Sequence, residues 1–209
     1  MRRGISNNIE KLKKPKNLNI HPKNFFIKKD FLLYEVLKMV TDVKFDMEKF
    51  KEVLHYVIHK CGHLENVGKT VLFKILYFLD FDYYELFEEP LTGESYRKLE
   101  HGPAPVHFDR VVKELENEDI VEICDIEIGK YTQHKYISLK EPKLDLLTGN
   151  ELKIIDEDIA RYSTMNATRI SEFSHGDLPY KATRDGEIID YELVFYRDSL
   201  FSAREYEDE

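Results

Sequence analysis

The stretch GHLENVGKT, Gly62 to Thr70, places two glycines ahead of a Lys-Thr pair, the residue types with which nucleotide hydrolases cradle phosphate. A phosphate loop needs four residues between its glycines, because its N–H groups must converge on one anion. Here five intervene, His63 to Val67. It also needs a buried strand ahead of it. The preceding run instead spaces Met47, Phe50, Leu54, Val57, Ile58 and Cys61 by three and four, which is a helix face. The reading is therefore a loop joining two helices, with Lys69 and Thr70 opening the second.

Three other groupings could carry chemistry. His55 and His59 share a helix face as zinc ligands can, with Cys61 and His63 close by. No Glu follows His55 and no Cys-rich knuckle completes the set, so they read as surface histidines beside a core cysteine, with no metal. Ser174, His175 and Asp177 are triad residue types, but sequence neighbours rarely face one another as nucleophile and base must. Asp80, Asp82 and Glu85 are read as the solvated end of a helix. No dinucleotide fingerprint is present, and neither an enzyme nor a cofactor is expected.

Residues 1–44 hold eleven Lys or Arg against four Asp or Glu, so the rest of the chain carries about −16 of the total of −9. An acidic body of this kind repels nucleic acid and suits a basic protein partner; the basic segment could still touch RNA, DNA or an acidic partner. No apolar run reaches membrane-spanning length and no secretory signal is recognised. Cys61 and Cys124 lie in apolar patterns and read as reduced, buried residues, which points to the cytoplasm.

The elements that must position these groups follow from periodicity. Residues 1–44 form a basic, irregular extension with one short helix candidate at residues 28–40; residues 45–209 form the globular body. A helix capped by Asp46 and Gly62 leads into KTVLFKILYFLDFDYYELF, apolar nearly all round and hence central. ESYRKL is extended. A third helix starts at Pro105 and buries Phe108, Val111, Val112 and Leu115. A β-hairpin turns at Gly129-Lys130. Thr148 and Glu151 form a capping box for the next helix, and ATRISEFS is another short one. The tail after Gly186 is ambiguous between strand and helix, with Asp190 as the expected cap of a helix. The fold class is α+β, predominantly α-helical, with a small antiparallel hairpin in winged-helix-like order. That order alone suggests a DNA-binding regulator. Acidic residues outnumber basic ones where its recognition helix would lie, which opposes that reading.

Several blocks resemble the Panacea-domain (SocA-like) antitoxin family. Lys74, Tyr77 and Asp80 fit its helix motif; Pro90, Thr92, Gly93 and Tyr96 fit P-[IL]-T-G-x-x-Y; Gly102, Pro103 and Pro105 fit Y-G-P-x-P, with His101 in place of the aromatic. Ser171, Ser174, His175 and Pro179 fit its closing motif, with Tyr180 where Trp is common. The resemblance runs from about residue 46 to 200. It implies a mostly helical, non-enzymatic module of toxin–antitoxin systems, some of them acting in phage defence. Such a module neutralises a protein toxin by direct contact, and in some members hands it to a protease.

On the residues themselves, Gly93 and Gly102 are expected in backbone conformations that others avoid, and Pro103 and Pro105 at the start of the third helix. Tyr77 and Tyr96 are expected half-buried with hydroxyls outward. Lys74, Asp80, Tyr84, Tyr96, His101, His175 and Tyr180 are the toxin-contact candidates. Lys74 could equally be an internal clamp paired with Asp80 or another carboxylate. A winged-helix autorepressor and a hydrolase using His175 are the competing readings.

Overall fold

A single 19-residue helix, Lys69–Phe87, organises the rest of the domain, and fourteen of its residues are buried. The computed structural model describes residues 43–204; the basic extension and its short helix candidate lie almost wholly outside them. The elements are α1 (Met47–Cys61), α2 (Lys69–Phe87), β1 (Tyr96–Leu99), β2 (Gly102–Pro105), α3 (Phe108–Asn117), β3 (Val121–Ile128), β4 (Tyr131–Ser138), α4 (Gly149–Tyr162), α5 (Ala167–Gly176), α6 (Leu178–Ala182) and a 3-10 helix, Tyr191–Tyr196. The fold is α+β and predominantly helical, with two small antiparallel hairpins, β1–β2 and β3–β4.

Local chemistry accounts for the helix ends. The Asp46 carboxylate accepts from the Lys49 N–H at 3.1 Å, and the Gly62 N–H closes on the Ile58 carbonyl at 2.7 Å. The segment between Gly62 and Gly68 thus joins two helices, so the strand that a phosphate loop requires is replaced by α1. Thr148 and Glu151 make the reciprocal capping box of α4. Asp190 caps the 3-10 helix through the Glu192 N–H at 3.0 Å, which makes the tail helical in type but short.

Two expectations need correction. The third helix begins at Phe108, not Pro105. Pro103 and Pro105 lie in β2, where Pro105 pairs with Tyr96 and Pro103 with Lys98. The outer edge of β1 is bonded to residues 186–189, but that of β2 has no neighbouring strand among the described residues, so the missing proline N–H groups cost the ribbon nothing there. Of the cysteines, Cys61 is buried but Cys124 only partly so.

The core is aromatic. Phe81 stacks on Tyr191 with ring centroids 4.3 Å apart, Phe78 stacks on Tyr162 at 4.3 Å, and Tyr77 packs edge-on against Tyr96 at 5.6 Å. α2 is the common wall of these pairs, with α4, α5, β2 and the 3-10 helix around it. Among the described residues, no helix is long and apolar enough to cross a membrane.

Gly93 and Gly102 have φ of +71° and +97°. A Cβ on Gly102 would come within 2.6 Å of Ser174 Oγ and 2.7 Å of Lys74 Cε. Gly129, at the β3–β4 turn, has φ of +63° with nothing within 4 Å of such a Cβ. Gly129→Ala should therefore cost about 1 kcal/mol, the backbone penalty alone, and Gly102→Ala clearly more, read as urea midpoints of the two variants.

Candidate functional site

The motif residues fall into three buried polar clusters arranged along α2. At its C-terminal half, Asp82 and Glu85 sit three residues apart on one face and point inward, each about 1% exposed. The Arg197 guanidinium, arriving from the chain after the 3-10 helix, lies between them. Its Nη1 donates to Asp82 Oδ1 at 2.6 Å and to Glu85 Oε2 at 3.1 Å. Its Nε and Nη2 grip Asp177 as a two-pronged fork at 2.9 and 2.7 Å. The carboxylates' remaining lone pairs are filled too. Tyr77 donates to Asp177 at 2.7 Å, Tyr162 to Asp82 at 3.1 Å, and Ser202 to Glu85 at 2.5 Å. Burial opposes the Arg197 charge, but Asp82 and Asp177 outweigh it and hold the group firmly protonated. Asp158, buried beside Asp82, has no partner for Oδ2. Burial, and then the Asp82 charge, push its pKa well above the usual carboxylate range.

The second cluster surrounds Asp80. Its carboxylate accepts from the Thr92 N–H at 2.8 Å, the Thr92 hydroxyl at 2.8–2.9 Å and the Tyr96 hydroxyl at 2.7 Å. The Tyr96 hydroxyl also lies 2.8 Å from the Leu76 carbonyl. Burial raises Asp80 to about 6, against the pull of those donors. Here the physical meaning of the P-x-T-G-x-x-Y motif is plain. Thr92 and Tyr96 are the two donors that let an aspartate sit inside an aromatic core. Next to it Glu94, fully buried, receives the His107 N–H and ring Nδ1, and its own carbonyl accepts from Tyr191 at 2.6 Å.

The third cluster lies where α2, β2 and α5 meet. The Lys74 ammonium, 2% exposed, is 3.2 Å from the Pro103 carbonyl, and burial drives it down to about 7. Gly102 leaves room for it beside Ser174. His175 stacks flat on Tyr180 at 4.8 Å with Nε2 buried and unpartnered. Burial, and then the Lys74, His101 and Lys98 charges, lower its pKa. Tyr180 donates to the Leu99 carbonyl at 2.9 Å, and Lys98 lies over its ring at 4.6 Å.

Of the seven candidate residues, Lys74, Asp80, Tyr84, Tyr96 and Tyr180 are buried, His175 is half-buried, and His101 is exposed at the β1–β2 turn. Lys74 has no ion pair with Asp80; its acceptor is a backbone carbonyl. Tyr84 donates to Glu192. Tyr77 and Tyr96 are fully buried with their hydroxyls turned inward, which corrects the half-buried expectation. Asp82 and Glu85 are not a solvated helix end but the anchors of Arg197. The triad residue types part company: Ser174 donates to Ser171, while Asp177 is held by Arg197 and Tyr77. His55 is buried rather than at the surface; it and His59 share the Ser138 hydroxyl at 3.0 and 3.4 Å.

The sequence alone did not single out Arg197, and it offered Asp177 only as a triad residue type, not as a partner of that guanidinium. The available signal was two acidic residues on one face of a helix too apolar to be exposed, which demands a buried cation elsewhere.

Residues 72–179, a little over half of the chain, match the sequence model of the family described as antitoxin SocA-like, Panacea domain, and the chain belongs to that family. No curated protein matches the chain, and no solved structure does. All three clusters have their α2 members inside the matched segment, but Arg197 lies beyond its end.

Lys74 makes a test of burial without a counter-charge. Between its folded value near 7 and its ordinary value of 10.5, the unfolded chain holds a proton that the folded one has shed. Stability should therefore rise with pH across that window, by up to about 1.4 kcal/mol per pH unit. In Lys74→Met, urea unfolding at pH 7, 8.5 and 10 should show that rise flattened, with stability at pH 7 no lower than the parent's.

Proposed function

We propose that this chain is the antitoxin of a two-gene pair, a protein-binding module that neutralises a protein toxin by direct contact. The observation that carries the proposal is the family match over residues 72–179. The geometry of the clusters supports it in a particular way. Asp80 spends its hydrogen-bonding capacity on Thr92 and Tyr96, and Asp82, Glu85 and Asp177 spend theirs largely on Arg197. In our reading these residues are a scaffold, not catalytic machinery, and the domain is no enzyme. Lys74 and Tyr96, 2% and 0% exposed, would act on a toxin only through the shape they maintain. His101 and the His175–Tyr180 stack are the members of the motif set nearest the surface.

The charge of about −16 over residues 45–209 supports a basic toxin, steered to the antitoxin by long-range attraction. It also speaks against a DNA-binding role for this part of the chain. We place the protein in the cytoplasm, where the toxin would be made. Hand-over to a protease is a further proposed step, separable from contact itself.

Co-expression tests the proposal. A reading frame beside this one should arrest growth when expressed alone and cease to do so with this chain present. The purified pair should associate with a rate that falls as salt rises. Protection that persists in a host lacking its cytoplasmic proteases would mean contact suffices; protection lost there would mean the adaptor step is required. If no neighbouring product is toxic, or a toxic one never binds this chain, the antitoxin assignment is wrong.

A further inference from the structure

Beyond the motif clusters, one element has an apolar face that the domain leaves uncovered. The β3–β4 hairpin pairs Ile126 with Gln133 and Ile128 with Tyr131, so these four side chains share one face of the ribbon. Ile126, Ile128 and Tyr131 are 47%, 53% and 80% exposed. The opposite face at the same level is polar and satisfied within itself: His134 meets Asp125 at 2.6 Å, and Thr132 donates to Glu127 at 2.9 Å. Closer to the base, the apolar-side face turns over the α1–α2 loop. Gln133 donates to the Glu65 carbonyl at 3.2 Å, and Lys135 caps the Leu64 and Val67 carbonyls. Between ribbon and loop runs a groove of about 600 Å³, reached by Ile128, Tyr131 and Gln133 from one side and Glu65 and Lys69 from the other.

Among the described residues the ribbon has two strands only, and no backbone hydrogen bond joins its outer edges to a third element. Proteins usually blunt such an edge with charge. β3 does carry Glu122, Asp125 and Glu127, all exposed, and no basic residue. Three large apolar side chains beside them are the opposite of protection.

The charge also selects the occupant. A second copy aligning its own β3 here would bring acidic side chains against acidic ones, which is unfavourable for directly opposed pairs. An extended segment carrying Lys or Arg would meet those carboxylates with opposite charge. It would add a strand to the ribbon edge and set apolar side chains on Ile126, Ile128 and Tyr131. We propose that the tip of the β3–β4 hairpin is the toxin-docking surface, and that it receives a basic, extended segment of the toxin. This inference rests on the antitoxin reading and adds the surface and the chemistry of the partner to it.

The test uses the full chain and the neighbouring growth-arresting polypeptide as probe. The double variant Ile126→Asp/Ile128→Asp should lose protection and bind the probe about 100-fold more weakly, the loss expected for removing central apolar anchors. Its far-UV circular dichroism and melting temperature should stay at parental values, since both side chains are half exposed. Glu122→Lys/Glu127→Lys should weaken binding about ten-fold and reduce its salt dependence. Tyr196→Asp, at a separate exposed position on the 3-10 helix, should protect as the parent does. If the hairpin variants protect and bind as well as the parent, the docking surface is elsewhere while the antitoxin reading stands. If the double variant keeps protection but turns a parental dimer into monomer, the ribbon joins copies of this chain and the proposal is overturned. If the parent chain itself protects against no neighbouring product, the antitoxin reading falls and takes the proposal with it.

Discussion

One guanidinium holds this domain together. Arg197 is fully buried and touches three carboxylates from two distant parts of the chain, Asp82 and Glu85 on α2 and Asp177 between α5 and α6. Each carboxylate alone would be prohibitive inside an aromatic core. Together with Tyr77, Tyr162 and Ser202 they become a closed set of donors and acceptors. The interaction fixes the last helices against α2 and draws the tail over the core. Sites of this kind add little net stability over a well-packed apolar core, but they impose a single arrangement, because any other leaves a charge unpaired.

The arrangement explains how the family's motifs work as a unit. Asp80 with Thr92 and Tyr96 fastens the β1–β2 ribbon to one side of α2, while Asp82, Glu85 and Asp177 fasten the C-terminal helices to another. Gly102 lets β2 approach Lys74 and Ser174 closely enough to close the gap between those sides. The segment matched to the family ends at residue 179, yet three acidic residues within it depend on a cation 18 positions further on. The physical domain is therefore longer than the matched segment. The buried members of these clusters are occupied with their own bonds, while Ile126, Ile128 and Tyr131 at the hairpin tip are among the apolar side chains exposed outside them.

Much of the fold was legible in the residues. The α1 and α4 caps, the buried nature of α2, the hairpin turn at Gly129-Lys130 and the positive φ of Gly93 and Gly102 all follow from local rules. Pro105 misled because a proline suits a first helical turn and an edge strand equally well, and only the pairing with Tyr96 decides between them. The polar residues of α2 were harder. LDFDYYELF looks like a helix running out into solvent, because nothing nearby supplies a cation. Arg197 is 115 positions from Asp82, and a separation of that length leaves no local pattern. Yet the two statements, a central apolar helix and a solvated acidic end, were in conflict. The inward hydroxyls of Tyr77 and Tyr96 belong to the same lesson: they are donors that buried carboxylates require.

The most direct test of this account is urea unfolding of Arg197→Met against the parent chain at pH 7 and at pH 4.5. Loss of the guanidinium should leave Asp82, Glu85 and Asp177 buried without a cation and cost about 3–5 kcal/mol at pH 7. Carboxylates so stranded take up protons more readily in the folded state than in the unfolded, so the deficit should shrink as the pH falls. A variant within about 1 kcal/mol of the parent at pH 7, the range of an exposed ion pair, would contradict the claim that this buried charge set organises the domain.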